Sequence, residues 1–150
     1  IITFLKEVFI LGNDPNITNT YIKEFYSGYV TWKKNSVIGG GINSFYLNCS
    51  VAIGNCASHP HNYYLEILSE LGIIGFIFLT IIFANLLMLI GFRNYLSLDF
   101  EKNLIFPFGL LFFAEIFPLK TTGSFFTTGN ATFIFFIIAI IVSLSKKHSN

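Results

Sequence analysis

The sequence predicts an all-α integral membrane protein. Hydrophobic residues make up 53% of the 150-residue chain and charged residues only 11%, which is far from the balance of a soluble globular domain. Residues 71–92 carry no charge, and a helix of that length would measure about 33 Å, enough for one crossing of a bilayer. A net charge of +1, without a long basic run, argues against nucleic acid as a partner.

The first part of the chain, residues 1–64, predicts a polar loop region with short helices. Residues 1–11 have helical apolar spacing but are too short and too charged to span, so we expect an interfacial helix. Residues 21–34 predict a second helix with an aromatic stripe, for which packing is favoured over sugar stacking. Three glycines at 39–41 predict a tight turn; the alternative, backbone N–H groups approaching a phosphate, is weaker because no P-loop lysine follows.

The second part, residues 65–145, predicts a transmembrane region, and residues 146–150 predict a cytoplasmic tail. About three transmembrane helices are expected, near residues 71–92, 104–119 and 127–145. The middle span bears Pro107 and Pro118 and is expected to be kinked.

Cations set the expected orientation. Arg93 and Lys102 flank the loop after the first span, and Lys146 and Lys147 follow the third, so both of these regions are expected in the cytoplasm. Residues 1–64 then face the other side of the membrane. Disulfides persist there, so Cys49 and Cys56 form either a local disulfide or two free thiols.

Residues 58–75 read SHPHNYYLEILSELGIIG. This stretch carries ionisable side chains and continues directly into the first predicted span. Pro60 suits the first turn of a helix, which would then carry His61 and Asn62. Further along, the steps of three and four place Tyr63, Glu66 and Glu70 on one face. The pattern predicts a polar stripe that leads into a bilayer.

These residues carry a family resemblance. His61-Asn62, followed after nine residues by Gly72-x-x-Gly75, is similar to the signature of the O-antigen ligase and polymerase family of bacterial membrane glycosyltransferases. Upstream, Trp32 and the pattern Gly-x-Gly-x-x-x-Phe at residues 39–45 also resemble this family. The resemblance covers about residues 26–89, with a weaker echo at 123–130. Because the chain opens at Ile1 and its only methionine is Met88, we interpret it as the carboxy-terminal portion of a longer protein.

The resemblance implies a function in surface polysaccharide assembly. Such an enzyme moves a glycan from an undecaprenyl diphosphate carrier to a sugar hydroxyl, either of a lipid A core or of another carrier-linked glycan. It lies in the bacterial inner membrane, in contact with the lipid bilayer, with its active site facing the periplasm. It is implied to need no metal and no cofactor.

The same resemblance suggests roles for individual residues. His61 is the expected base for the acceptor hydroxyl, and a helix amino terminus would keep its imidazole neutral. His59 is expected to act as a second base or an orienting partner, or else to face water. Glu66 and Glu70 would orient the histidine, bind sugar hydroxyls or pair with lysines. The expected substrate-binding residues are Lys33, Lys34, Asn62 and Tyr63.

One departure from the family pattern concerns arginine. Family members usually carry an outward-facing arginine just after the phenylalanine of the glycine pattern, but here that residue is Tyr46, and the only arginine is Arg93. Lysine lacks the bidentate fork of arginine, so a lysine substitute would not be equivalent. The departure keeps a catalytically silent scaffold as an alternative.

Two other interpretations stay open at this stage. In a polysaccharide transporter or flippase component, His61, Glu66 and Glu70 would form a proton or ion relay, but the predicted spans contain few ionisable residues. Metal ligation by His59, His61 and Glu66 is conceivable, although the spacing is not that of an HExxH site.

Overall fold

The computed structural model describes residues 20–49, 57–94, 105–118 and 123–147, and the regular structure in these ranges is entirely helical. This confirms the all-α prediction, while the predicted helix at residues 1–11 lies outside the described ranges. The helices are α1 (Thr20–Lys34), α2 (Phe45–Asn48), α3 (Tyr63–Asn94), α4 (Ile105–Glu115) and α5 (Thr128–Lys147). The chain forms two compact units, the first comprising residues 1–77 with 121–126 and the second comprising 78–120 with 127–150.

Two helices within the described ranges are long and apolar enough to cross a membrane. They are Tyr63–Gly91 in α3, with mean hydropathy 2.8, and Thr128–Ser145 in α5, with mean hydropathy 2.0. They overlap the predicted spans near residues 71–92 and 127–145, although the first begins earlier than predicted.

The middle predicted span corresponds to α4, which has 11 residues. At 1.5 Å per residue α4 is about 16 Å long, shorter than the roughly 30 Å of a hydrocarbon core, so a third crossing stays a prediction. Pro107 lies in the first turn of α4 and Pro118 lies beyond its end, so neither proline interrupts the helix.

In the second unit, α4 packs against α5 and also contacts the later part of α3. Phe83 and Phe112 meet edge to face, with ring centroids 5.5 Å apart, and both are buried. A Cβ added at Gly109 would lie 2.6 Å from Cγ2 of Ile90, so a small residue is needed for this approach of the two helices.

In the first unit, α3 is broken at Gly72, whose φ is 66° and ψ is −169°. This conformation is accessible essentially to glycine alone. It removes the regular helical partners of the two following N–H groups, and the loop before α2 replaces them. Ile73 N donates to the carbonyl of Ser36 over 2.9 Å, and Ile74 N donates to the carbonyl of Val37 over 3.3 Å.

The loop also satisfies the carbonyl groups that the break frees. We call residues 36–41 the glycine loop. Gly40 N donates to the carbonyl of Ser69 over 2.9 Å, and Gly41 N donates to that of Glu70 over 2.8 Å. Four main-chain hydrogen bonds therefore join the glycine loop to the break, which leaves the carbonyls of Ser69 and Glu70 and the N–H groups of Ile73 and Ile74 paired, as a membrane environment requires.

The close approach explains why glycines stand on both sides of this junction. A Cβ at Gly39 would lie 2.3 Å from the carbonyl of Glu70, and a Cβ at Gly72 would lie 2.3 Å from the carbonyl oxygen of Val37. The N–H groups of residues 39–41 all donate to main-chain carbonyls. The alternative that these N–H groups approach a phosphate is therefore wrong for this conformation.

Candidate functional site

The site begins at the amino terminus of α3, which Asn62 caps. Its side-chain Oδ1 accepts hydrogen bonds from Tyr64 N at 3.1 Å and Leu65 N at 3.2 Å, and its carbonyl accepts the first helical bond, from Glu66 N. Asparagine is among the preferred N-cap residues because its side chain pairs N–H groups that the helix leaves open. The prediction that the helix begins at Pro60 is therefore wrong, and His61 precedes the first turn instead of lying in it.

Pro60 has a different role from the one predicted. Its side chain is fully buried, and a Cβ added at Gly28 of α1 would lie 2.9 Å from the Cβ of Pro60. The absence of a side chain at Gly28 thus lets the segment before α3 pack closely against α1. This packing fixes the chain immediately before His61.

His61 adopts a left-handed conformation, with a φ of 51°. That conformation is uncommon for a residue other than glycine, although histidine adopts it more often than most, and it costs roughly 1–2 kcal/mol. It persists because buried Pro60 on one side and the Asn62 cap on the other determine the path of the chain. Backbone strain of this kind is concentrated at functional sites.

The side chain of His61 faces a carboxylate from α1. Nε2 of His61 lies 3.6 Å from Oε1 of Glu24; the histidine side chain is 36% exposed and the glutamate side chain is 17% exposed. The ring of His59 stands beside that of His61, with centroids 4.2 Å apart, and Ser58 Oγ lies 2.9 Å from Nδ1 of His59. We call these four residues the histidine cluster.

Sequence reasoning identified both histidines but missed Glu24. The glutamate precedes His61 by many residues and lies on a helix that was interpreted through its aromatic stripe. A usable signal was present, because Glu24 is the only acidic residue of α1. A single carboxylate on such a helix needs a partner when the helix packs in a protein interior.

Glu66 binds the segment that precedes α5. Its side chain is 1% exposed, and its carboxylate accepts hydrogen bonds from Ser124 Oγ and Phe125 N, each at 2.5 Å. The ring of Phe125 packs edge to face on Tyr63, with centroids 5.4 Å apart. Phe125 is therefore buried in the protein.

Glu70 binds the segment that begins α2. Its carboxylate accepts hydrogen bonds from Asn43 N at 2.7 Å and from Phe45 N at 3.3 Å, and its side chain is also buried. Glu66 and Glu70 therefore share the predicted face of α3 and each holds a separate loop. Burial of a carboxylate is costly unless hydrogen bonds compensate it, and here main-chain N–H groups provide compensation.

The remaining predicted site residues have other contacts. Lys34 Nζ donates to the carbonyl of Asn48 over 2.6 Å, and Lys33 Nζ lies 4.7 Å from the ring centroid of Tyr29. Both lysines are exposed, and within the described ranges neither forms an ion pair or hydrogen bond with the histidine cluster. Asn62 and Tyr63 are almost completely buried, in the helix cap and against Phe125 respectively.

Cys49 is buried and disulfide-bonded, so it is not a free thiol. The other cysteine, Cys56, lies outside the described ranges. Across residues 20–49, 57–94, 105–118 and 123–147, no group of three or more His, Cys, Asp or Glu side chains is arranged to hold a metal ion.

Comparison with known proteins adds one match. A family model described as O-antigen ligase matches residues 2–80, just over half of the chain. The chain belongs to the O-antigen ligase family. No curated protein and no solved structure matches it.

Membership in the O-antigen ligase family confirms the resemblance predicted from the sequence. The matched range contains the glycine loop, the histidine cluster and the break at Gly72. Together with two candidate membrane spans, it identifies an O-antigen ligase-like membrane glycosyltransferase.

Proposed function

We propose that this O-antigen ligase family member transfers a glycan from an undecaprenyl diphosphate carrier to a sugar hydroxyl, at the periplasmic face of the bacterial inner membrane. The observation that carries the proposal is the pairing of His61 with Glu24. A partly exposed imidazole with a carboxylate behind it is a suitable general base. It lies in the family-matched region, immediately before a candidate membrane span.

In the proposed reaction, His61 takes the proton of the acceptor hydroxyl as the hydroxyl oxygen attacks the anomeric carbon of the donor. The bond from that carbon to the diphosphate breaks, and its electron pair leaves with the diphosphate. One direct displacement inverts the configuration at the anomeric carbon. Because Nε2 faces Glu24, the favoured tautomer carries its proton on Nε2, so Nδ1 is the nitrogen that accepts the proton.

Glu24 would act through His61. Its carboxylate would hold the imidazole in one tautomer and stabilise the imidazolium that forms after proton transfer. The separation of 3.6 Å is longer than a hydrogen bond, and such contacts often tighten only when substrate is bound. His59, stacked beside His61, would restrict the rotation of its ring.

The other predicted site residues have proposed roles that fit their contacts. Asn62 and Tyr63 would position the histidine cluster through the start of α3. Glu66 and Glu70 would position the two loops that they bind. The exposed Lys33 and Lys34 stay the proposed contacts for the donor diphosphate. They would replace the arginine that the family usually has at the position of Tyr46, but without its bidentate geometry.

The relay alternative receives no support from these contacts. Glu66 and Glu70 bind main-chain N–H groups and a serine, and the single ion pair among the described residues joins His61 to Glu24. A proton relay would instead link these ionisable side chains to one another or to water.

The test is glycan transfer in membranes that contain the full-length protein, with wild type compared with His61→Ala at matched expression. Lys23→Ala, on the same helix as Glu24, is the matched control. Surface polysaccharide is followed on a gel. We expect His61→Ala to abolish the product while the control retains it; loss of lipid attachment indicates a ligase, and loss of chain length indicates a polymerase. Wild-type transfer by His61→Ala would overturn the proposal.

A further inference from the structure

The first unit exposes a group of large apolar side chains around the glycine loop and α2. All are more than half exposed, and Ile38 and Leu47 are the most exposed, at 73% and 82%. We call the group the apolar rim; it comprises Val37, Ile38, Ile42, Tyr46 and Leu47. Single exposed apolar residues are ordinary, but five within eleven consecutive residues indicate an interaction surface.

The apolar rim is attached to α3 near residue 71, where the uncharged part of the first candidate span begins. At one end, the glycine loop makes four main-chain hydrogen bonds across the break at Gly72. At the other end, the carboxylate of Glu70 accepts hydrogen bonds from Asn43 N and Phe45 N. Both ends of the rim are therefore attached to α3 within residues 69–74.

The span itself is exposed directly beyond this attachment. Ile73, Ile74 and Ile77 are large apolar residues with exposed side chains in the next turn of α3. In a helix that crosses a membrane, such side chains face lipid or another membrane helix. The apolar rim and this turn thus form neighbouring apolar surfaces at the same end of the span.

The charges around the rim favour lipid as the partner. Between Glu24 and Glu66 the chain contains no acidic residue, and exposed Lys33 and Lys34 precede the rim. Lysine stems lie along apolar surface while the ammonium groups reach the phosphate layer, and tyrosine is enriched at the same depth. An apolar surface with basic residues at its edge is typical of a segment that lies in the interface.

We propose that the apolar rim inserts into the interfacial zone of the leaflet where the span of α3 begins. Residues 37–47 then form a second, non-spanning membrane contact that fixes the depth of the first unit in the bilayer. This inference does not depend on the proposed glycan transfer.

The experiment measures the environment of spin labels in the full-length protein, reconstituted in vesicles of phosphatidylethanolamine and phosphatidylglycerol. Labels are attached at Ile38→Cys and, separately, Ile42→Cys. Phe78→Cys, at an exposed position within the candidate span, is the lipid reference, and Asn35→Cys, at an exposed polar position, is the water reference. Collision with oxygen, which concentrates in lipid, is compared with collision with a water-soluble nickel chelate.

We expect the labels at Ile38 and Ile42 to behave as the label at Phe78 does, with an oxygen-to-nickel ratio several-fold above that at Asn35. A ratio equal to that at Asn35 at both sites would show a water-exposed rim and overturn the proposal. Low collision with both reagents would show that protein covers the rim and would overturn it equally. Two separately labelled sites ensure that local disturbance at one of them does not decide the result.

Discussion

Replacement of Gly72 by alanine tests the junction between the glycine loop and α3. An added Cβ would lie 2.3 Å from the carbonyl oxygen of Val37 and 2.6 Å from Gly39 N, with a φ of 66° that disfavours any side chain. The backbone strain costs about 1–3 kcal/mol. To relieve this overlap, the glycine loop must move away from α3. The movement breaks the hydrogen bonds donated by Ile73 N and Ile74 N, and each lost bond costs about 0.5–1.5 kcal/mol. The variant should therefore lose about 2–6 kcal/mol of its free energy of unfolding.

The assay is heat denaturation of the purified full-length protein in detergent, followed as the fraction that stays monodisperse. A loss of this size lowers the midpoint by about 5 °C or more. Gly91→Ala is the matched control, because it lies in the same helix and its added Cβ meets nothing within 4 Å. We expect the control to be unchanged or slightly stabilised, since alanine favours a helix. Equal midpoints for the two variants would refute the reasoning about the break.

Three further predictions concern the site. Glu24→Gln should slow glycan transfer by about 10- to 100-fold, at or below the lower end of general-base contributions because Glu24 acts through His61. In an initial-rate assay the double variant with His61→Ala should be no slower than His61→Ala alone, and additive losses would exclude action through His61. Asn62→Ala should lower stability by about 1 kcal/mol in the heat assay, since the helix loses its cap, and an unchanged midpoint would contradict this. Glu70→Gln should speed hydrogen exchange at residues 43–48 and leave 123–126 unchanged, whereas Glu66→Gln should do the reverse, because each carboxylate holds its own loop; equal effects on both loops would contradict separate roles.

The sequence predicted the helices, but it did not predict the break within α3 at Gly72. Uncharged runs and periodicity predicted α1, the long helix α3 and α5, because they depend on composition over many residues. The break at Gly72 has no such signal, since glycine inside an apolar run is also compatible with a continuous helix. Its partner, the glycine loop, lies some thirty residues upstream, and only the folded chain brings the two together.

The start of α3 shows how two local rules compete. Pro60 and Asn62 both mark helix starts, one as a first-turn residue and the other as a cap. The cap determines the start, since it pairs two N–H groups, whereas Pro60 is held by its packing near Gly28. The motif singled out His61 as the proposed base. The lone carboxylate of α1 signalled only that Glu24 needs a partner, because its contact with His61 depends on how α1 packs on the segment before α3.

The glycine loop has a consequence for how this region tolerates sequence change. Its four bonds to α3 join main-chain atoms only, so the identities of the side chains at Ser36 and Val37 do not enter into them. Most substitutions at these two positions would leave the junction intact, whereas Gly39 and Gly72 are fixed by the close approach of the opposite backbone. The loop can therefore carry different outward-facing side chains, and with them different lipid preferences, while its main-chain bonds to α3 stay in place.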